Sequence, residues 1–407
     1  MREIIVDSFA GGGGASTGIE MATGTPVDVA INHDEAAILM HKTNHPQTKH
    51  YCENIWEVDP IKATEGKPVA LMWASPDCFP AGILILTKSG YRPIETIRVG
   101  DYVLTHKKRW KKVTEISNTI KPLIEIKGHG HPGLICSPEH PFYVKKRTNL
   151  WNNDIRQYRP VYSKTEWMAA SKIDNKCYWS TPTNIPKVDI PKMEIVENGT
   201  SLPIDERLMW LAGRYVGDGW TRFTNRRAEL VIICGKHEAS ELSTKLDMWP
   251  RSGARVKNGE LSWNCREVRT AVQFMANSRS LVKWLRENFG HGADKKTIPA
   301  WIYGAKDSYK TAFLNGYTGA DGWNGCTVYG KKITEINTVS KAIAFGIKQL
   351  VTTMGYIATT HRSDKRANVI EGRTVNAKPC FKVRWRKEID GKHNQVLIED
   401  ASGEQWL

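Results

Sequence analysis

Two copies of one short pattern constrain this chain more than any other feature. Residues 208–219 and 312–322 are each an apolar run with spaced glycines that closes on Gly-Asp-Gly or Ala-Asp-Gly. Their aspartates, Asp218 and Asp321, are 103 positions apart. An internal repeat at this spacing predicts two similar subdomains related by a pseudo-twofold axis. One such segment alone could be an ordinary buried helix with a glycine cap, but two copies favour the repeat.

The repeated segments resemble the motif helices of LAGLIDADG homing endonucleases. In that family the two helices pack through small residues and each projects one carboxylate from its end. The resemblance implies that Asp218 and Asp321 hold Mg²⁺ near the two scissile phosphates of double-stranded DNA. The small residues at the helix contact would be Gly213, Gly217, Gly316 and Gly319.

Basic and aromatic residues flank the first copy of the motif. Residues 221–227 and 263–269 alternate polar, basic and aromatic side chains, which suits a β saddle lying in a DNA groove. A solvated surface would have a similar composition. Lys236 and Lys341 are candidate basic residues near the cleavage site.

The first 77 residues contain a strand, a glycine loop and a helix in succession. Apolar residues 4–6 precede the loop at 7–18, and further apolar runs lie at 27–31 and 69–73. Glycines at such a turn let a ligand approach the backbone, and the helix start presents free N–H groups. Asp34, after the second strand, is placed to bind ribose hydroxyls. The pattern predicts a βαβ nucleotide-binding unit whose third strand is buried, although a flexible linker would also be rich in glycine.

This region resembles the start of a DNA cytosine-5 methyltransferase. The resemblance implies an α/β Rossmann-like fold, with Cys78 as the nucleophile that adds to a flipped cytosine. The family's later motifs do not follow Cys78, so we expect at most weak cofactor binding and no methyl transfer. By the same resemblance, S-adenosylmethionine would be bound by Phe9, Ala10, Gly11, Gly12, Gly14 and Asp34.

From Cys78 onward the chain resembles an intein, a protein-splicing element with the all-β Hint fold. The resemblance rests on residues 78–104 and on residues 134–142, which contain a Ser-x-x-His pattern. An N-to-S acyl shift needs a thiol beside the carbonyl that it attacks and a proton donor for the amide nitrogen. The resemblance assigns these roles to Cys78 and His140, with Ser137 as a hydrogen-bonding helper. Taken singly, the histidine would be an ordinary turn residue and the cysteine a small core residue.

The last residues lack the features of a splicing element's end. Such an end carries His-Asn followed by Cys, Ser or Thr. His393 and Asn394 are adjacent, but Gln395 follows them and is not a nucleophile. We interpret the pair as a coincidence and expect the C-terminal splicing block to be absent from this chain, because the gene is truncated, because a split partner carries the block, or because the sequence is partial.

Charge is distributed unevenly along the chain. Residues 1–77 contain 5 Lys and Arg against 11 Asp and Glu, although the whole chain carries a net charge of +15. The remainder therefore carries +21, which predicts a polyanionic partner, and double-stranded DNA fits better than a membrane surface because no amphipathic anchor is evident. The eight cysteines include no Cys-x-x-Cys pair, which argues against a zinc site or a disulfide scaffold and favours a reducing bacterial or phage-infected cytoplasm.

Together these patterns predict a multidomain, monomeric chain. Two alternatives remain: a non-catalytic DNA-binding regulator with a decayed endonuclease fold, and a free-standing methyltransferase. Intact Asp218 and Asp321 disfavour the first, and the missing methyltransferase motifs disfavour the second. The predicted parts are a methyltransferase fragment (1–77), a Hint splicing domain (78–195), an α+β LAGLIDADG endonuclease with a pseudo-twofold repeat (196–375) and a return toward the splicing domain (376–407).

Overall fold

The computed structural model divides the chain into two compact units. One comprises Met1–Cys78 with Asn118–Lys121, and the other comprises Phe79–Ser117 with Pro122–Leu407. The division falls within one residue of the junction that the sequence predicts at Cys78. The structure describes residues 2–53, 55, 57–74, 78–116, 118, 120–154, 156–191, 204–246, 263–326, 330, 332–363, 368–370, 373–375, 379–387, 398–400 and 404–406.

The first unit is an α/β structure around a parallel sheet. Its strands are ordered β3-β2-β1-β4. The two central strands are apolar and mostly buried, as is usual for parallel sheets covered by helices. The elements are β1 (Ile4–Ser8), α1 (Gly14–Thr23), β2 (Val29–Asn32), α2 (Glu35–Asn44), β3 (Lys49–Cys52), α3 (Pro60–Thr64) and β4 (Val69–Ala74).

The burial of β4 differs from the prediction. The strand forms where the sequence predicts it, but all six of its residues are exposed. Met72 is 57% exposed and Trp73 is 45% exposed. β4 lies at the edge of the four-stranded sheet, where an apolar run alone does not ensure a covering layer.

The second unit begins with antiparallel β structure. β6-β5-β7-β8 form one sheet, β10-β9 form a second, and β12, β13 and β14 each pair with β11 in a third. The strands are β5 (Leu84–Thr87), β6 (Gly90–Pro93), β7 (Tyr102–Leu104), β8 (Trp110–Lys112), β9 (Ile124–Gly128), β10 (His131–Cys136), β11 (Pro141–Asn152), β12 (Gln157–Tyr162), β13 (Glu166–Ala169) and β14 (Cys177–Pro182).

The remaining elements alternate helices with pairs of strands. They are α4 (Glu206–Asp218), β15 (Gly219–Phe223), β16 (Ala228–Gly235), α5 (Ala239–Leu246), β17 (Trp263–Val268), β18 (Ala271–Asn277), α6 (Arg279–Phe289), α7 (Ala300–Tyr303), α8 (Asp307–Asp321), β19 (Gly322–Cys326), β20 (Lys332–Thr338), α9 (Lys341–Thr353), β21 (Ile357–Ser363), β22 (Asn368–Ile370), β23 (Arg373–Val375), β24 (Cys380–Arg386), β25 (Ile398–Asp400) and β26 (Glu404–Trp406). In the part of the chain that the structure describes, no helix combines the length and the apolar character needed to cross a membrane.

The two motif helices open topologically equivalent halves. α4 and α8 are each followed by two strands, a helix and two further strands that complete a four-stranded sheet. The sheet orders are β15-β16-β18-β17 and β19-β20-β24-β21, so corresponding strands occupy the same positions. Because β24 belongs to the sheet β19-β20-β24-β21, the half that begins with α8 extends beyond the boundary predicted at residue 375. β26 pairs with β14, so the last strand does return to the predicted splicing region.

One hydrophobic core runs through the second unit. Leu86 of β5 belongs to the same buried cluster as the residues of α4 and α8. The backbone nitrogen of Ala300 donates to the carbonyl of Lys88 at 3.2 Å, and Gln349 Nε2 donates to the carbonyl of Pro182 at 2.7 Å. The predicted splicing and endonuclease regions are therefore packed together in one unit.

Candidate functional site

α4 and α8 are in backbone contact at two of their glycines. A Cβ atom on Gly213 would collide with the carbonyl oxygen of Phe313, and one on Gly316 would collide with that of Trp210. Any side chain at either position would push the helices apart. The sequence repeat predicts this close approach correctly at both positions.

The other two predicted contact glycines differ from each other. A Cβ on Gly217 would collide with the Cβ of Ala320. Gly319 is exposed, and a Cβ there would lie 3.4 Å from its nearest neighbour, Arg214 Nη1. Gly319 is therefore not part of the close helix contact, although its carbonyl accepts a hydrogen bond from Arg214.

Asp218 and Asp321 are the last residues of the two packed helices. Contacts run in register from Trp210 and Gly316 to Gly217 and Ala320, so the helices are parallel and both carboxylates lie at the same end. Partial desolvation and the negative charge of Asp218 raise the pKa of Asp321 to about 6. Burial also raises the pKa of Asp218. The structure thus brings together two carboxylates whose charges are incompletely compensated.

Arg214 connects the two carboxylate-bearing helices. Its side chain is almost fully buried, and Nη2 lies 3.6 Å from Asp218 Oδ2 and 3.4 Å from Glu238 Oε2. Nη1 donates to the carbonyl of Gly319 on the other helix. Sequence analysis missed this role; the available signal was an arginine four residues before the aspartate in an otherwise apolar helix.

Lys296 caps the end of α4. Its Nζ donates to the carbonyls of Tyr215, Val216 and Gly219 at 2.5, 3.1 and 2.7 Å. The last carbonyls of a helix have no partner within it and attract cations. Burial lowers the pKa of Lys296 to about 8, and Asp321 acts in the opposite direction.

The donor set at the helix ends suits Mg²⁺. Among the described residues, no group of three or more His, Cys, Asp or Glu side chains could hold a metal. Mg²⁺, however, commonly binds through one or two carboxylates together with waters and substrate phosphates. Asp218 and Asp321 match this requirement, because both offer oxygen donors at a surface that remains open to solvent.

The sheets that follow the two motif helices, β15-β16-β18-β17 and β19-β20-β24-β21, both expose polar and aromatic side chains. Arg222 and Phe223 on β15 and Arg266 on β17 are exposed, within the two stretches predicted to contact DNA. Trp323 on β19, in the equivalent strand of the second half, is 54% exposed. Lys236 forms an exposed ion pair with Glu267 at 3.1 Å.

The glycine loop of the first unit lies at the carboxyl edge of its sheet. Phe9 follows β1 with a positive φ of 61° and is 37% exposed. A Cβ on Gly11 or Gly14 would meet nothing within 4 Å, so a ligand can approach the backbone there. Asp34 follows the adjacent parallel strand β2 and is therefore at the same edge.

Three of the predicted cofactor residues, Ala10, Gly12 and Asp34, have structural roles. Ala10 is buried, and its nitrogen donates to Ile31 at 3.0 Å. A Cβ on Gly12 would collide with the sulfur of Met40. Asp34 Oδ1 caps α2 by accepting from the nitrogens of Ala36 and Ala37, which a prediction based on ribose binding alone did not anticipate.

A buried polar network lies behind the loop and was not foreseen. Ser16 Oγ donates to Asp7 Oδ2 at 2.7 Å and lies 2.9 Å from His41 Nε2. His41 Nδ1 lies 2.8 Å from His50 Nε2. Burial, followed by the influence of His50, lowers the pKa of His41 to about 4. The imidazole of His41 is therefore neutral at pH 7.

Ser137 and His140 occupy the turn between β10 and β11. Ser137 is fully buried, and its carbonyl accepts from the nitrogen of His140 at 3.1 Å. The ring of Phe79, which follows Cys78 in the chain, lies 4.1 Å from the His140 ring between centroids. Burial lowers the pKa of His140 to about 4, and its Nδ1 is buried with no hydrogen-bond partner in the described structure.

The segment after Cys78 is held on both sides. Lys341 Nζ donates to the carbonyl of Gly82 at 2.8 Å, and Glu95 Oε2 accepts from the Gly82 nitrogen at 2.8 Å. Lys341, predicted as a cleavage-site residue, thus contacts the predicted splicing region. Cys78 itself is half-buried. Residues 75–77 and the pair 393–394 lie outside the described residues.

Comparison with known proteins identifies one domain and several partial relatives. Residues 77–154 match a Hint domain. The chain is 26% identical over 366 residues to the ATP-dependent DNA helicase Hel308 of Thermococcus kodakarensis, covering 80% of this chain and 31% of the helicase. It is 23% identical over 326 residues to an iron-sulfur cluster assembly SufBD family protein of Mycobacterium tuberculosis, covering 76% and 36%. The chain therefore spans about a third of the length of these relatives.

Further comparisons have lower coverage or similarity. A replication factor C small subunit of Methanocaldococcus jannaschii is 22% identical over 245 residues, covering 57% of this chain and 13% of that protein. Among solved structures, variants of the homing endonuclease I-DmoI align at 15% identity with a TM-score of 0.30, covering 44% of this chain and 88% of theirs. I-DmoI in complex with DNA and Mn aligns with a TM-score of 0.29.

Proposed function

We propose that the second unit cleaves double-stranded DNA with Mg²⁺. The observation that carries this proposal is the position of Asp218 and Asp321 at one end of two parallel, glycine-packed helices. Each helix opens a half with the same strand order, so one carboxylate is available for each DNA strand. When bound, Mg²⁺ supplies charge neutralisation at the phosphates. Both halves lie in one chain, so we propose a monomer.

The rest of the unit would bind and position the duplex. The residues beyond 77 carry a net charge of +21, and the two sheets expose arginine and aromatic side chains near the helix ends. Lys296 and Arg214 would hold the ends of the helices, and thereby the two carboxylates, in a constant position. Because phosphate contacts release counterions, binding should weaken steeply with salt.

Cleavage can be tested on a defined duplex. We propose as target a methyltransferase gene without the insert, around its Ser-Pro-Asp-Cys codons, because insertion there would destroy the site. Asp218→Asn and Asp321→Asn should each abolish double-strand cutting with Mg²⁺ and leave DNA affinity nearly unchanged. The matched control is Asp307→Asn, which changes an exposed aspartate at the other end of α8. Binding of this duplex by the wild-type protein without any cutting would favour the regulator.

We also propose that this chain performs the first step of protein splicing. The Hint match over residues 77–154 supports this. So do partial relatives with three different activities, because an element inserted into unrelated hosts gives this pattern. The Cys78 thiol would attack the Asp77 carbonyl, so that a C–S bond forms and the C–N bond breaks. Neutral His140 would accept the thiol proton and deliver it to the amide nitrogen, with Ser137 as a helper.

We propose that residues 1–77 belong to an S-adenosylmethionine-binding cytosine-5 methyltransferase. The parallel sheet, the open space at Gly11 and the position of Asp34 on the same edge support this. The exposed apolar side chains of β4 are where the rest of such a domain would pack. We expect weak cofactor binding by calorimetry and loss of that binding in Gly11→Val, whereas Gly18→Val, with equally open surroundings, should bind normally.

The eight free cysteines support a reducing cytoplasm.

A further inference from the structure

A cavity of about 380 Å³ lies between α9 and the antiparallel sheets of the second unit. This volume is at the lower end of ligand pockets, which are roughly 300–1,000 Å³. The splicing and cleavage steps proposed above use none of the groups that point into it. Its wall is mostly apolar and includes the aromatic residues Tyr91, Phe142, Tyr143, Trp167, Trp179 and Phe345.

Lys348 places a buried cation at this cavity. Its side chain is almost fully buried on α9, and among the described residues its one hydrogen-bond acceptor is the carbonyl of Gly130, at 3.2 Å. That carbonyl also accepts from the nitrogen of Thr360 at 2.9 Å. An ammonium can donate three hydrogen bonds, so most of the capacity of Lys348 is unused. Burying a cation with unused hydrogen-bond donors costs free energy unless an anion or further acceptors pair with those donors.

His131 presents a second unsatisfied group at the same cavity. Its ring lies 5.3 Å from Trp179 and 5.3 Å from Phe345 between centroids, close to perpendicular to both. Nδ1 is buried and has no hydrogen-bond partner in the described residues. Buried polar atoms in folded proteins are rarely left without partners. Lys341 also lines the cavity, and none of the described lining residues is an aspartate or a glutamate.

We propose that this cavity is a binding site for a small planar aromatic anion. The aromatic wall would contact the ring system, while Lys348 and His131 would donate to the anionic group. The absence of carboxylates among the described lining residues favours an anion over a cation or a neutral molecule. One or two fused rings match the volume.

The test compares 2-naphthoate with 2-naphthalenemethanol, which has the same rings without the charge. Titration calorimetry on the full chain should show saturable one-to-one binding of 2-naphthoate and at least roughly tenfold weaker binding of the alcohol. Lys348→Met should weaken naphthoate binding by about tenfold or more, and His131→Phe by several-fold. Lys310→Met, which changes a buried lysine outside the cavity, should have no effect.

Three results would overturn the proposal. They are an absence of saturable naphthoate binding, equal affinity for the alcohol, and unchanged affinity in folded Lys348→Met. Thermal unfolding establishes that each variant is folded. If Lys348→Met does not fold, the proposal is tested by comparing the affinities for the two ligands and by measuring naphthoate binding to His131→Phe.

Discussion

The Lys296 ammonium donates to the backbone carbonyl of Tyr215 at 2.5 Å and lies 4.6 Å from the centroid of that residue's own ring. The lysine thus contacts both the backbone and the side chain of one residue in the last turn of α4. Asp218 follows three residues later. This arrangement links a loop before the second motif helix to the carboxylate-bearing end of the first.

Lys296→Met should destabilise the second unit. The substitution removes hydrogen bonds to three helix-end carbonyls, and a buried acceptor left unpaired costs about 1–3 kcal/mol. Urea unfolding followed by tryptophan fluorescence measures the change in the free energy of unfolding. Lys310→Met is the control, because this buried lysine donates, among the described residues, to the side chain of Asp307, which is exposed and stays hydrated when the lysine is lost. Equal losses in the two variants would contradict the capping role.

Gly316→Ala should destabilise the helix pair, whereas Gly319→Ala should be neutral or slightly stabilising. Alanine gains about 1 kcal/mol over glycine in a helix interior. At Gly316 the collision with Trp210 outweighs this gain, because overpacking costs about 1–3 kcal/mol or more. At Gly319 a methyl group has room. Thermal unfolding of both variants measures the difference, and similar transition temperatures would show that the close approach at Gly316 does not stabilise the helix pair.

DNA cleavage should decline as the pH falls through about 6. The pKa of Asp321 is raised to about 6, and its protonated form is a poor metal ligand. Because Asp321 remains exposed to solvent, we expect the shift to affect metal binding more than stability. Asp218→Asn removes the neighbouring negative charge, so the pKa of Asp321 should move toward its ordinary value of about 4. A ¹³C carboxyl NMR titration measures this directly, and an unchanged pKa would show that the two carboxylates do not interact.

Thiol treatment should release residues 1–77 from the folded chain. A thioester at the Asp77-Cys78 bond is cleaved by added thiol or hydroxylamine, and mass spectrometry detects the fragment. Cys78→Ala should abolish release, and His140→Gln should slow it by roughly 10²-fold or more, since general acid–base groups contribute about 10²–10⁴-fold. Cys52→Ala, at an exposed cysteine, should behave as the wild type. An intact mass after prolonged thiol treatment would refute the acyl shift.

Acid should destabilise the first unit between about pH 6.5 and pH 4. His41 has a pKa of about 4 in the folded state and about 6.5 when unfolded, so the unfolded chain binds the proton first. Its contribution to stability is therefore complete above pH 6.5 and is lost as the pH falls toward 4, by at most about 3 kcal/mol. Hydrogen exchange of peptides from residues 2–53 measures this loss. His41→Leu should flatten the profile, and His33→Gln, at an exposed histidine, should leave it unchanged.

Several features of the fold could be predicted because they depend on local sequence patterns. By their resemblance to a known family, the paired motifs predict two helices that pack through glycines and end at Asp218 and Asp321, and the structure has this arrangement. The glycine loop between apolar runs predicts the parallel sheet of the first unit, because strand, glycine loop, helix and strand in succession are typical of a βαβ unit. The junction at Cys78 was visible because composition and charge change there.

The remaining features depend on contacts between residues that are distant in the chain. Only the tertiary structure shows that Lys296 donates to the carbonyls at the end of α4. It also shows that β24 joins the sheet that follows α8, and that β4 is exposed at the edge of its sheet. The cavity at Lys348 likewise combines α9 with strands more than 150 residues earlier. Sequence patterns report which face of an element is apolar, but burial and pairing are decided by the partners that long-range packing brings to that face.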